Sequence, residues 1–177
     1  MKKCQIWIAN AAVLLLFGAA MAYAQKPAAT LARSDERFMK NAAEGGMDEV
    51  KLGEMAQQNA SSEHVKSFAK RMVDDHTKLN RQLRTLASHK SVTLPSDISI
   101  KQEASNKLLS RKNGESFDKS YMAAMIRDHK DDIQAFQKEA SSGTDPDARA
   151  YASKALPMLR EHLRMAGKVE QEVDAGK

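Results

Sequence analysis

The chain has 177 residues and a formal net charge of +5 at pH 7, with 28 Lys and Arg against 23 Asp and Glu. It contains a single cysteine, which excludes a fold held together by internal disulfide bonds. Basic and acidic side chains alternate along the chain, a pattern typical of solvated helix faces, so we expect no nucleic-acid partner.

Residues 1–24 have the pattern of a secretory signal peptide. Two lysines precede an apolar run at residues 6–20, and Ala22-Tyr23-Ala24 matches a small-residue cleavage site. An uncleaved membrane anchor is the alternative, which the small residues near the cut disfavour. We therefore predict export to the periplasm, where the protein could associate with the outer membrane. Apart from that, we expect membrane contact only through the signal peptide before it is cleaved.

After a patternless linker at residues 25–33, apolar residues recur at helical spacing in four long segments. The first helix is predicted over residues 34–59. It contains Gly45-Gly46, which either bend the helix or let a neighbouring helix approach closely. The second helix begins after two candidate capping serines at residues 61–62.

A long link separates the second helix from the third. It contains Pro95, a short helix predicted near residues 99–110, and a stop signal at Asn113-Gly114. The third long helix is predicted to start near Ser116. Strand-like alternation of apolar and polar residues is absent, so the fold class is predicted to be all-α.

The fourth helix begins at Asp145-Pro146, where an acid precedes proline at the first helical position. It is predicted to leave a frayed tail at residues 171–177. Short first and last turns force two antiparallel helix pairs, and one long middle crossover is the connectivity of ferritin-like bundles. We therefore predict a ferritin-like four-helix bundle over residues 34–170, with a short helix in the crossover.

Three short runs match one pattern: Met, an aliphatic residue, Asp or Arg, an acid, then His. They are Met72 to His76, Met125 to His129 and Met158 to His162. Each run lies in a different predicted helix, and positions two or three turns apart on a helix point in nearly the same direction. By this test each histidine points along the apolar stripe of its helix, and so does Glu49 on the first helix.

These four polar groups also share one level of the predicted bundle, because each residue advances a helix by about 1.5 Å. A buried carboxylate is costly unless it is paired or bound to a metal. Three imidazoles and one carboxylate suit a divalent transition metal such as Zn, Fe, Mn or Cu. We therefore predict that a metal ion is bound by Glu49, His76, His129 and His162.

Other acids near this layer are candidates for orienting the imidazoles or for additional ligands. They are Asp75, Asp128, Asp132 and Glu161. The thioethers of Met72, Met125 and Met158 are weaker candidates, since methionine commonly fills gaps in a core; if they bind, soft Met with His would favour copper. The metal-free alternative is a buried Glu–His hydrogen-bond network that specifies the bundle.

Several motifs together carry a family resemblance. They are Ala43-Glu44-Gly45-Gly46, Glu49 to Gly53, Phe68 to His76, Phe117 to Tyr121, His129, and Leu156-Pro157 before His162. Over about residues 38–166 the sequence resembles domain of unknown function family 4142, exported bacterial proteins often labelled outer-membrane proteins. The resemblance implies a ferritin-like bundle and no assigned activity. Di-iron ferritin-like enzymes use Glu-x-x-His on two helices, whereas here an acid directly precedes each histidine, which disfavours ferroxidase or oxygenase chemistry.

Three functions are consistent with these patterns. The leading one is an exported bundle that binds a transition metal for handling, sensing or a stress response. The alternatives are a metal-free structural or interaction module and a metal-dependent redox enzyme, which would need an open coordination position. The sequence names no protein partner, and whether the protein is an enzyme stays open. The sequence has no motif for hydrolase or kinase chemistry, because it contains no phosphate-binding glycine loop, nucleophile elbow or cysteine nucleophile.

Overall fold

The computed structural model describes residues 31–176, so the predicted signal peptide and the linker before residue 31 lie outside it. Within this range the chain forms five helices and no β-strand. They are α1 (Arg33–Asn59), α2 (Glu63–His89), α3 (Ile100–Leu109), α4 (Gly114–Ser142) and α5 (Pro146–Asp174).

The four long helices form two hairpins that pack side by side. α1 packs along α2 and α4 along α5, while α1 also contacts α4 and α2 contacts α5. The hairpin turns at residues 60–62 and 143–145 are short, whereas residues 90–113 form a crossover that contains α3. The predicted all-α four-helix bundle with a short helix in its crossover is therefore confirmed. Within residues 31–176, none of the helices combines the length and apolarity needed to cross a membrane.

A polar layer divides the core of the bundle into two apolar clusters. One cluster surrounds Phe68 and Tyr121 near the α1–α2 turn, and the other surrounds Leu83 and Phe136 near the α4–α5 turn. Each fully buried side chain of this size contributes about 1.5–3 kcal/mol to folding. Between the two clusters, every long helix places a buried Glu or His in the core. These residues are Glu49, His76, His129 and His162.

The turn before α2 is held by a residue from another helix. Ser62 occupies the N-cap position of α2, but its side chain makes no capping hydrogen bond. Instead Asp118 of α4 accepts hydrogen bonds from the backbone N–H of Ser61 at 3.1 Å and of Ser62 at 2.9 Å. Ser62 thus stands at the predicted N-cap position without making the capping hydrogen bond, while Asp118 holds the turn that precedes α2.

An equivalent contact closes the opposite end of the bundle. Asp35 of α1 is fully buried and accepts hydrogen bonds from the backbone N–H of Thr144 at 3.0 Å and of Asp145 at 2.6 Å. Each hairpin turn is thus held by an aspartate from the other hairpin. These two contacts fix how far one hairpin can slide along the other.

Two helix boundaries differ from the predicted ones. Asn113-Gly114 starts α4 rather than ending α3, and Gly114 has a φ of 58° that glycine adopts without steric cost. α5 continues to Asp174 instead of fraying after residue 170, because Val173 is 4% exposed and packs in the core cluster around Phe68.

The glycines of α1 permit close packing against α2. A Cβ added to Gly46 would clash with Asn80 Oδ1, and one added to Gly53 would lie 2.8 Å from Val73 Cγ2. A Cβ on Gly45 would meet only ordinary contact distances. Of the two explanations open for the glycine pair, the structure supports close helix approach, and it does so at Gly46.

Candidate metal centre

Three histidines from three helices meet in the polar layer. One ring nitrogen from each of His76, His129 and His162 lies within 4.8 Å of the others. Their exposed fractions are 1%, 0% and 0%. We call this group the histidine triad. It is the one group of three or more His, Cys, Asp or Glu side chains within residues 31–176 that is compact enough to hold a metal ion.

Hydrogen bonds determine where the protons of two triad rings lie. His129 Nδ1 lies 2.9 Å from the carbonyl oxygen of Met125, one turn earlier in α4. His162 Nε2 lies 3.1 Å from Asp75 Oδ2 of α2. A carbonyl or carboxylate oxygen can only accept, so each of these nitrogens carries the hydrogen of its neutral ring.

The remaining nitrogens of these two rings face each other. His129 Nε2 and His162 Nδ1 are 3.3 Å apart. Because the other nitrogen of each neutral ring carries the hydrogen, both facing nitrogens present lone pairs, and neither has a proton to share. Two nitrogen ligands at 2.0–2.1 Å from one tetrahedral zinc ion would be about 3.3–3.4 Å apart. The spacing therefore fits two ligands of a single metal ion.

Glu49 lies beside the triad. Its Oε2 is 2.8 Å from His76 Nδ1 and its Oε1 is 3.4 Å from His129 Nδ1, but neither contact has hydrogen-bond geometry. Glu49 thus contacts the nitrogen of His129 that faces away from His162. The structure places the carboxylate against the histidines and outside the compact group, so its role as a direct ligand stays a prediction.

Burial sets the charge of these side chains. Loss of solvent lowers the pKa of His76 and of His162 to about 4, and it also lowers the pKa of His129. Burial raises the pKa of Glu49 to about 7, against the attraction of His129. The imidazoles are consequently neutral at pH 7. Neutral imidazole is the form that binds a metal ion.

Asp75 connects the triad to the protein surface. Besides accepting the hydrogen bond from His162, it pairs with Arg71, and Lys78 Nζ lies 3.7 Å away. Burial acts to raise the pKa of Asp75, but hydrogen bonds from Arg71 and His162 outweigh it and lower the pKa. The ionised carboxylate holds His162 in the tautomer whose lone pair faces His129.

The other predicted acids lie farther from the imidazoles. Glu161 is 45% exposed and pairs with Arg164, so the structure does not bring it to the triad. Asp128 pairs with Arg127, and Asp132 is half-buried; both line a cleft that also reaches Glu49.

The three predicted methionines pack among apolar side chains. Met72 and Met125 are fully buried in the cluster around Phe68. Met158 is half-buried against the cluster around Leu83. These environments agree with a packing role, and thioether ligation stays a prediction.

The family assignment rests on most of the chain. The family model of DUF4142, described as a domain of unknown function, matches residues 20–169. The chain belongs to this family. The predicted family is therefore confirmed. No curated protein matches the sequence.

Solved structures show the same fold. A crystal structure of a DUF305 fragment from Deinococcus radiodurans has a TM-score of 0.70 and 16% identity, covering 80% of this chain and 98% of that chain. CopM in the Cu(I)-bound form has a TM-score of 0.65 and 16% identity, covering 78% of this chain and 96% of that chain. CopM in the Cu(II)-bound form has a TM-score of 0.63 and 14% identity, with the same coverages of 78% and 96%. At these identities the similarity shows a shared helical-bundle fold.

Sequence reasoning assigned no site role to two buried polar groups outside the triad. The Tyr121 hydroxyl is buried and has no hydrogen-bond partner among residues 31–176; burial and the negative charge of Glu49 raise its pKa, so it stays protonated. Asn106 of α3 donates a buried hydrogen bond of 2.6 Å to Asp48. Tyr121 lies about two turns before His129 on the same stripe, a spacing that could have revealed it. No comparable sequence pattern indicated the buried position of Asn106.

Proposed function

We propose that this protein is an exported four-helix bundle that binds one transition metal ion at the histidine triad and serves in metal handling. The observation that carries the proposal is the pair of facing lone pairs on His129 Nε2 and His162 Nδ1, 3.3 Å apart. A cation between them turns a repulsive contact into two coordination bonds. The signal-peptide pattern at residues 1–24 supports a periplasmic location.

A metal-free hydrogen-bond network explains the same contacts less well. Such a network needs a proton between the two facing nitrogens, and therefore a charged imidazolium in one ring. Burial opposes that charge, since it lowers the pKa of His162 to about 4 and also lowers that of His129. Both ring nitrogens of His76 also lack hydrogen-bond partners among residues 31–176. A buried network that leaves these groups unsatisfied would cost stability.

The donor set favours some metals over others. Three imidazole nitrogens suit zinc and copper, whereas manganese prefers more oxygen ligands. Two of the similar structures are copper-bound forms of CopM, which adds support for copper. We therefore propose zinc or copper as the bound ion. Three nitrogen ligands leave a fourth position for Glu49, water or a transferred ligand.

The test is a titration of the purified, chelator-treated protein with Zn²⁺, Cu⁺ and Cu²⁺ in separate experiments. We expect one ion per chain in the wild type, and loss of that ion in His76→Ala, His129→Ala and His162→Ala. Two variants serve as matched controls: His64→Ala, whose side chain is 58% exposed, and His89→Ala, also exposed. Both should bind as the wild type does.

A second measurement avoids any effect of the variants on folding. X-ray absorption of the wild-type metal complex should show nitrogen ligation by imidazoles. Metal at 100 times its dissociation constant should also stabilise the wild type by about 2.7 kcal/mol. If no ion binds stoichiometrically while each triad variant still melts earlier, the metal-free structural module is the correct explanation.

A further inference from the structure

A cleft of about 1010 Å³ lies between α1, α3 and α4. Five carboxylates line it, two from α1 and three from α4. They are Asp48, Glu49, Asp128, Asp131 and Asp132. We call it the acidic cleft. Its volume is at the upper end of the range for small-molecule pockets.

Glu49 is shared by the acidic cleft and the histidine triad. Its side chain lines the cleft, while its two oxygens lie 2.8 Å from His76 Nδ1 and 3.4 Å from His129 Nδ1. It is 3% exposed, and neither oxygen accepts a hydrogen bond from any residue in the described range 31–176. A buried carboxylate without partners is costly, so its position indicates a cation as its counterpart.

The charges of the cleft change with depth. Asp48 is 9% exposed and Glu49 is 3% exposed, so two carboxyl groups, which are negative when ionised, lie at the inner end. The basic lining residues Lys101, Lys112 and Arg127 are exposed at the rim. A low-dielectric cleft with one sign of charge at its base concentrates ions of the opposite sign there.

The other approach to the triad is covered by paired charges. On the face between α2 and α5, His162 is covered by Asp75, and Asp75 is paired with Arg71 and lies 3.7 Å from Lys78. Arg71 and Lys78 are 53% and 63% exposed, and Arg71 also lies beside the acids Asp74 and Glu161, so the charges on this face are already paired. A cation entering here would have to displace Arg71 from Asp75 before it reached His162.

α3 forms one wall of the acidic cleft and is weakly attached. Its one buried residue is Asn106, which donates a hydrogen bond of 2.6 Å to Asp48. Two of its large apolar side chains face solvent, Ile100 at 85% and Leu108 at 63% exposed. A helix with so little buried apolar surface opens at low free-energy cost.

We propose that the acidic cleft is the route by which a metal cation reaches the histidine triad, with Glu49 as the last carboxylate before the imidazoles. This inference rests on the proposed function and adds the path to the site. The cation moves from the carboxylates of α1 and α4 to Glu49 and then to the lone pairs of the triad. Steering of this kind raises association rates by about tenfold or more and weakens with ionic strength.

The experiment measures how fast the chelator-treated protein takes up Co²⁺, whose visible absorption reports nitrogen coordination. The test variant is Asp48→Asn with Asp131→Asn, which removes two charges and leaves an amide oxygen to accept the Asn106 hydrogen bond. The control variant is Glu54→Gln with Asp74→Asn, which removes two exposed charges outside the cleft. Stopped-flow mixing is done at low and high salt.

We expect the cleft variant to load about tenfold more slowly than the control at low salt, with the difference shrinking at high salt and the final Co²⁺ content unchanged. Equal rates for the two variants would overturn the route. Faster loading after Arg71→Gln, with no effect of the cleft variant, would place entry between α2 and α5 and also overturn it. Failure of the proposed function itself would look different, because the wild type would then take up no ion at equilibrium.

Discussion

His162 donates its Nε2 hydrogen to Asp75 across the α2–α5 interface, over 3.1 Å, and this contact decides which nitrogen of His162 faces His129. The imidazole has only one hydrogen when neutral, so fixing it on Nε2 leaves the lone pair on Nδ1. Arg71 in turn keeps Asp75 ionised. The geometry of the triad therefore depends on a carboxylate that need not touch the metal.

Asp75→Ala should lower metal affinity by about 10–100-fold while leaving the stoichiometry at one ion per chain. The variant removes the acceptor that holds the His162 tautomer. Asp74→Ala is the matched control, because Asp74 is adjacent, exposed and paired with Lys70. Competition titration against a chelator measures the metal affinity of both variants. Equal affinities for Asp75→Ala and Asp74→Ala would show that the hydrogen bond does not orient the ligand.

Glu49→Gln should have opposite effects on the metal-free and metal-bound protein at pH 8. The folded-state pKa of Glu49, about 7, is above its ordinary value of 4.5, so its stabilising contribution is full below pH 4.5 and lost as pH rises through 7. Replacing the buried anion by an amide should stabilise the metal-free protein by roughly 1–3 kcal/mol. The same change removes charge compensation for a bound cation and should weaken binding. Urea denaturation with and without metal measures both effects, and a shift of the same sign in both would contradict the assignment.

Glu139→Gln should stabilise the protein at pH 8.5 but not at pH 5. Burial, with repulsion from Asp35 and Asp145, raises the pKa of Glu139 to about 7, and its Oε1 has no hydrogen-bond partner in the described chain. Its stabilising contribution is therefore present below pH 4.5 and lost as pH rises through 7. We expect a gain of roughly 1–3 kcal/mol at pH 8.5 by urea denaturation. The exposed Glu54→Gln should show no such pH dependence, and a gain at pH 5 equal to that at pH 8.5 would refute the explanation.

Gly53→Ala and Gly45→Ala should change stability in opposite directions. A Cβ on Gly53 would lie 2.8 Å from Val73 Cγ2 and 3.1 Å from the backbone oxygen of Ala69, so the two helices must move apart. Overpacking of this kind costs about 1–3 kcal/mol. A Cβ on Gly45 meets only Asp132 Oδ1 at 3.9 Å, so alanine should add up to about 1 kcal/mol of helix propensity. Thermal or urea denaturation measures the stability change of each variant, and destabilisation by both substitutions would contradict the packing argument.

Much of the fold follows from local pattern. Helical spacing of apolar residues, short turns at residues 60–62 and 143–145, and one long crossover were sufficient to predict the bundle. The boundary at Asn113-Gly114 was misassigned because a glycine with positive φ can end one helix or begin the next. The hydrogen bonds of Asp118 and Asp35 to the two turns could not be predicted from local pattern, since each aspartate lies in the other hairpin.

For the site, the sequence by itself determined that Glu49, His76, His129 and His162 point into the core at one level, because direction and height along a helix depend only on residue spacing. Tertiary structure alone decided which ring nitrogens face each other and that Asp75 orients His162. It also decided that Glu49 lies between the triad and the acidic cleft, of which α3 forms one wall. Those features depend on the rotation and separation of neighbouring helices. Packing of the whole core sets these quantities, and no periodicity within a single helix encodes them.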